Sequence, residues 1–240
     1  MLVDTHCHLH DREFFSTKQA GEILERALKK GVEKIICIGT NPEDSMSARD
    51  FAKTHQNVFW TYGTHPNETN SKNLFKRDEK LVAIGEVGLD YHYEGYDRDR
   101  QIELFEQMLQ LAQDNNLPLS FHVREAFDDF FPIIENFPKI RGVVHSFSDN
   151  KRNLKRILDE TDFFIGVNGM ATYSTLPTPP LNRILLETDA PFLAPAPFRN
   201  TTNEPGYIYE IANWLSDKLK VNFSQVESET TKNAHKLFGI

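Results

Sequence analysis

Met1-Leu2-Val3-Asp4-Thr5-His6-Cys7-His8 opens the chain. It reads as a short apolar strand that ends in two histidines one residue apart. Side chains at i and i+2 of a strand point to the same face, so His6 and His8 aim two imidazoles at one place. A divalent cation is a natural occupant of such a place. A pair of solvated histidines is the plain alternative, and the stretch by itself does not decide between them. The decision comes from how the other strands end.

Strand-like runs recur at 1–6, 33–38, 58–63, 81–86, 118–123, 141–145, 162–167 and 183–188. Most are continuously apolar, the pattern of strands buried on both faces of a parallel sheet. Helix-like stretches fill most of the gaps, at 17–30, 42–54, 98–114, 149–160, 205–219 and 224–238. Asn41 and Pro42 suit the cap and first turn of the second helix, and Ser224 suits the cap of the last. Eight strands alternating with helices in 240 residues predict one (β/α)8 barrel of the TIM type spanning 1–240. A doubly wound open sheet is the rival, weakened because no Gly-rich nucleotide fingerprint follows the first strand. Pro177, Pro179 and Pro180 exclude a regular helix between the seventh and eighth strands. That crossover, 168–182, is expected to be a loop that leaves part of the barrel wall uncovered.

A barrel keeps its active site at the C-terminal ends of its strands. His6 and His8 sit there on strand one, His65 after strand three, Glu86 at the end of strand four, His122 on strand five, His145 on strand six and Asp189 after strand eight. Any one of them alone is as readily a hydrogen-bonded polar group. Together on one rim they point to metal. Four imidazoles (His6, His8, His122, His145) and two carboxylates (Glu86, Asp189) suit two divalent cations with one carboxylate bridging them. The mixed nitrogen and oxygen donors favour Zn, Mn, Fe or Co over an all-oxygen Mg or Ca site. His10, His55 and His235 are expected on solvated faces, and Glu187 is expected to be structural.

Composition bounds the reading. The net charge of -8 argues against a general nucleic-acid coat. It leaves a phosphodiester substrate open, because bound cations supply local positive charge. No apolar run approaches the ~18 residues of a membrane span, and the chain opens directly into a strand, so a cytoplasmic location and no membrane partner are expected. Cys7 and Cys37 read as small buried hydrophobes without a disulfide. Nothing calls for a protein partner, and a monomer is expected.

Asp4-Thr5-His6-Cys7-His8-Leu9, Gly85-Glu86-Val87-Gly88-Leu89-Asp90-Tyr91, Phe121-His122-Val123-Arg124, Val144-His145-Ser146-Phe147-Ser148 and Leu186-Glu187-Thr188-Asp189-Ala190-Pro191 resemble the TatD family of metal-dependent hydrolases from Val3 to Phe238. The resemblance implies a TIM-type barrel, two divalent metals (Zn, Mn, Mg, Fe or Co) and hydrolysis of phosphodiesters in DNA, as a 3′-5′ exonuclease in several members. It implies that His6, His8, Glu86 and Asp189 hold one metal, and that Glu86, His122 and His145 hold the other. It makes His65 a neighbour of the scissile phosphate, Arg124 a helper, Asp189 the proton acceptor for the attacking water, and Arg199, Asn203 and Glu204 part of the substrate segment. The chain departs from the family in carrying Asn67 where a second histidine is common, Asp149 after the Ser-Phe-Ser run, and a shortened stretch before strand eight. Two readings stand behind this one: a two-metal hydrolase of a small ester, lactone or amide, and a barrel that binds without turnover.

Overall fold

A computed structural model of the chain describes residues 1–68 and 74–240. Eight strands form one parallel sheet in sequence order: Leu2–Cys7 (β1), Val32–Cys37 (β2), Val58–Tyr62 (β3), Leu81–Asp90 (β4), Leu119–Arg124 (β5), Gly142–Val144 (β6), Phe164–Val167 (β7) and Ile184–Leu186 (β8). Each strand pairs with the next. The ring closes where the segment after β8 meets the end of β1: Asp189 N–H donates to the His6 carbonyl at 2.8 Å, and His8 N–H donates to the Ala190 carbonyl at 2.7 Å. Side chains reinforce the seam below. Asp4 accepts from the Thr188 N–H and hydroxyl at 2.9 and 2.6 Å, and the Thr5 hydroxyl donates to the Leu186 carbonyl at 3.0 Å. The expected (β/α)8 barrel is therefore present.

The strands are apolar on both faces for separate reasons. One core cluster joins residues such as Ile35, Trp60, Ile84, Phe121 and Ile165 to the helices. A second joins Val3, Ile36, Val82, Val143, Phe164 and Leu185 to Ala234, Leu237 and Phe238. Residues from strands around the whole ring can meet only in its interior, so this second cluster fills the lower barrel. The polar residues follow by the two-residue alternation of a strand: Val143 leads to His145, Ser120 to His122 and Leu185 to Glu187. An apolar floor thus carries a polar ceiling.

The helices are Thr17–Lys29 (α1), Pro42–Thr54 (α2), Arg98–Asn115 (α3), Phe127–Glu135 (α4), Lys151–Glu160 (α5), Ile208–Leu219 (α6) and Phe223–Phe238 (α7). Asn41 caps α2 as its sequence suggests. Asn222, not Ser224, caps α7, with Gln225 completing a reciprocal capping box. α4 has no counterpart among the expected helices. It is only nine residues long and contains Pro132, which masks a helical period: the buried Phe127, Phe130, Phe131 and Ile134 recur at i, i+3, i+4 and i+7. Between β7 and β8 two short 3-10 turns, Gly169–Thr172 and Leu181–Arg183, replace a helix, as the prolines require. The barrel wall beneath is nevertheless covered. Ile165 and Val167 of β7 are buried, and Leu176, Pro177, Pro179 and Trp214 of α6 gather around them. A strap of prolines does the work of the missing helix. No helix among the described residues is long and apolar enough to cross a membrane.

Candidate metal centre

The strand ends converge on an open cavity of about 600 Å³ at the C-terminal mouth of the barrel. Glu86 lies at its centre and is almost fully buried. β4 runs on to Asp90, so Glu86 stands inside the strand and not at its end, where the sequence had placed it. Its two oxygens face different partners. Oε2 lies 3.5 Å from His6 Nε2, and Asp189 Oδ1 is 3.5 Å from the same nitrogen and 3.4 Å from His8 Nε2. Oε1 lies 2.7 Å from His122 Nδ1, 3.0 Å from His145 Nε2 and 3.8 Å from His65 Nε2.

These spacings suit cations. Donors bound ~2.1 Å from one tetrahedral ion are roughly 3.4 Å apart, and His6 to Glu86 Oε2, His6 to Asp189 and His8 to Asp189 have that spacing. The hydrogen bonding suits them too. His8 Nδ1 lies 3.1 Å from the Ile38 carbonyl, which can only accept, so this nitrogen carries the proton. Nε2 then faces the Asp189 carboxylate, an arrangement that either a second proton on His8 or a cation between the two groups satisfies. His6 Nε2 is buried with no hydrogen-bond partner. Four overlapping groups, His6-His145-Asp189, His6-His8-Glu86, Glu86-His122-His145 and His65-Asp90-His122, each bring three donor atoms within reach of a common ion.

Electrostatics repeat the point. Burial alone would raise the Glu86 carboxyl, but His145, His122 and His6 hold it well below its ordinary value. Burial would lower His145, yet Glu86 and Glu187 lift it well above the ordinary imidazole range. Burial likewise opposes the rise of His8, which Asp189 imposes, and of His122, which Asp90 and Glu86 impose. Burial and the neighbouring His145 push His6 down. Among the described residues, five carboxylates (Asp11, Glu68, Glu86, Asp90, Asp189) and one cation, Arg124, line the cavity. The carboxylates that would draw protons onto these imidazoles draw divalent ions equally well.

His65 behaves differently from the other imidazoles. The Asn67 N–H donates to its Nδ1 at 3.2 Å. Burial depresses its pKa to about 4, so it is neutral and its proton sits on Nε2, the nitrogen that faces Glu86. That makes His65 a hydrogen-bond donor into the cavity. Asn67, the residue standing in place of a family histidine, also donates from Nδ2 to Asp90 Oδ2 at 3.0 Å. Asp90 in turn lies 3.2 Å from His122 Nε2, and His122 holds its pKa down to about 2 against the effect of burial. Asp90 was missed as a site residue, although its position four residues beyond Glu86 on one strand was the available signal. Glu187 is buried, accepts from the Ser146 N–H at 2.6 Å and lies 3.5 Å from His145 Nδ1, so it orients that ring. Its carboxylate fits only because residue 166 is glycine: a Cβ there would stand 2.4 Å from Glu187 Oε2.

The remaining expected residues divide. Arg124 lines the cavity, with its guanidinium 5.5 Å from the Tyr93 ring centroid. Arg199 instead lies over the Tyr173 ring at 4.4 Å, outside the cavity lining. Glu204 is ion-paired with Arg26 of α1 at 2.6 Å. Asn203 is buried and donates to the Thr188 and Phe192 carbonyls at 2.8 and 2.6 Å, holding the loop that carries Asp189. Neither Asn203 nor Glu204 lines the cavity, because each is committed to the scaffold behind it. His10 is not solvated as expected: it is fully buried, 2.9 Å from Asp44 of α2, because the chain after β1 turns inward. His55 and His235 are half-buried. Cys7 and Cys37 are free, buried register partners across β1 and β2, as expected.

Comparison with known proteins agrees with this geometry. The family described as TatD related DNase matches residues 3–239. An uncharacterized metal-dependent hydrolase of Bacillus subtilis, YabD, is 31% identical over 259 aligned residues, covering 100% of both chains. The 3′-5′ ssDNA/RNA exonuclease TatD of Pantoea ananatis is 31% identical over 266 aligned residues, again covering 100% of both. The crystal structure of the TatD homologue YJJV from Escherichia coli superposes with a TM-score of 0.88 at 27% identity, covering 100% of this chain and 98% of that one. With a barrel, a rim of His, Asp and Glu donors and matches along its whole length, the chain belongs to the TatD family of metal-dependent hydrolases.

Proposed function

We propose that the protein is a two-metal phosphodiesterase that shortens single-stranded DNA from its 3′ end. The observation that carries this reading is Glu86, whose two carboxylate oxygens face two separate donor sets. In this reading His6, His8, Asp189 and Glu86 would hold one cation, and Glu86, His122 and His145 would hold the other. When bound, the cations supply Lewis acidity, which makes water a better nucleophile and neutralises charge developing on a phosphate.

The chain's own groups do the rest. Asp189 takes the proton of the attacking water on its free carboxylate oxygen. It is suited to this because His8 and His6 keep it ionised despite burial. The neutral His65 donates its Nε2–H to a nonbridging oxygen of the substrate. Arg124, on the wall beside Tyr93, steadies the next phosphate. Glu187 and Asp90 hold His145 and His122 in place. The relative from Pantoea ananatis, named for 3′-5′ exonuclease action on single strands, supports the choice of substrate.

The test is degradation of single-stranded DNA labelled separately at each end. Metal-stripped protein would be given Mg, Mn, Zn or Co, with Asp189→Asn as control. Metal-dependent shortening from the 3′ end, abolished in the variant, is the expected result. No cleavage with both sites loaded would overturn the reading, and a lactone or amide panel would then identify the bond.

A further inference from the structure

Six large hydrophobic side chains are exposed among the described residues: Met1, Phe14, Leu74, Tyr93, Tyr96 and Phe192. Four are aromatic, and they fall in two pairs. Phe192 and Tyr93 both line the cavity. Phe14 packs edge-to-face against Phe192, with ring centroids 5.1 Å apart at 83°. Tyr96 follows Tyr93 in the loop after β4. Phe192 follows β8 and Tyr93 follows β4, so in a ring ordered β1 to β8 the pairs stand on opposite sides of the mouth, with the donor sets between them.

A phenylalanine left 46% exposed forgoes burial that stabilises most of its kind. Phe192 is nevertheless well braced. Besides Phe14, the His8 ring meets it at 6.2 Å and 64°. Both contacts are edge-type, so no parallel ring is stacked on Phe192. Charge points the same way. Proteins that hold single strands combine a cationic groove with aromatic platforms. Here Arg124 is the lone cationic side chain among the described cavity-lining residues, against five carboxylates, and the whole chain carries -8. With one arginine among the described lining residues, the rings take a larger share of the grip on the nucleosides.

We propose that Phe192, braced by Phe14, is a stacking platform for the base on one side of the scissile phosphate, facing Tyr93 across the mouth, and that it makes the site selective for unpaired strand ends. The proposal rests on the phosphodiesterase reading. A base inside a duplex has both faces covered by its neighbours, whereas an unpaired terminal base offers a free face to the ring.

The test uses the full metal-loaded protein and a single-stranded oligothymidylate. The oligomer carries 2-aminopurine at its terminal nucleotides and phosphorothioate linkages to slow cleavage. Stacking quenches the 2-aminopurine. Wild-type protein is expected to quench it. Phe192→Ala is expected to lose the quench and bind about 5-fold to 100-fold more weakly, Phe192→Trp to restore both, and Phe14→Ala to give a partial loss. Unchanged quenching in Phe192→Ala would overturn the proposal. So would an equal loss of affinity for an oligomer whose terminal nucleotides are abasic. Hydrolysis of bis(4-nitrophenyl) phosphate by the wild type tests the phosphodiesterase reading separately: its absence overturns that reading, while the quench still decides the platform.

Discussion

Gly88 and Glu187 show how much of the centre depends on residues that touch no substrate. Gly88 has φ of +148°, and a Cβ there would lie 1.9 Å from the His122 carbonyl oxygen, with which β4 and β5 are paired. Gly88→Ala forces the two strands apart where His122 is held. We expect a loss of about 3 kcal/mol or more in urea unfolding, and an unchanged midpoint would refute the steric argument. Glu187→Gln keeps the acceptor for Ser146 but removes the negative charge from His145. Residues that orient a ligand histidine in this way are worth ~10–100-fold in metal affinity, a change that calorimetric titration with Mn measures. Of the donors themselves, His6, His8, His65, Glu86, His122, His145 and Asp189 were legible as residues at strand ends, and the structure brings them together. Asp90 was legible only through its spacing from Glu86, and Asn67 and the buried His10 were not legible at all. The roles of these two depend on which neighbour packs against them, His65 and Asp90 for Asn67 and Asp44 for His10.

At the scale of elements, the apolar runs and their period located every strand and six of the seven helices. The exception, α4, has an apolar helical period that its short length and Pro132 mask, and side chains also tie it down. Arg98, the first residue of α3, donates to both oxygens of Asp129 in the first turn of α4 at 2.7 and 2.6 Å, and the Tyr91 hydroxyl donates to the same carboxylate at 2.7 Å. The Arg98 bond is the main reason the Asp129 pKa lies below its ordinary value of 3.8. A carboxyl depressed by folding stabilises the native state above its unfolded pKa, and this stabilisation disappears as pH falls through the folded one. Arg98→Ala is therefore expected to lower the urea midpoint slightly at pH 7, and the difference is expected to vanish in acid once Asp129 is protonated in the folded state. A difference that persists in acid would mean that the contact acts through packing instead. The proline strap at 174–180 carries the complementary lesson. Its prolines announced that no helix could form, but not that an extended segment and Trp214 would cover β7, because that depends on where α6 comes to rest.

For the molecule as a whole, the dominant feature is a negative cavity inside a negative protein. Five carboxylates around one opening repel one another until cations arrive. Metal loading should therefore act on stability as well as on rate. With free metal at 100 times its dissociation constant, native binding contributes ~2.7 kcal/mol, which for a chain of this size raises the melting temperature by roughly 5–10 °C. Scanning calorimetry with Mn and with EDTA checks this, and coincident transitions would exclude cation binding by the native state. The architecture also sets a schedule. His6 and His8 come from the first strand, whereas Asp189 reaches them only after the eighth, across the seam that Asp4 and Thr188 fasten. A nascent chain has exposed its two histidines long before it acquires their carboxylate partner. A ribosome that stalls before the eighth strand releases a fragment with five of the six candidate ligands, no Asp189 and no closed ring. Competence to cut thus arrives in one step at the end of synthesis, so an unfinished enzyme of this kind is an inert one.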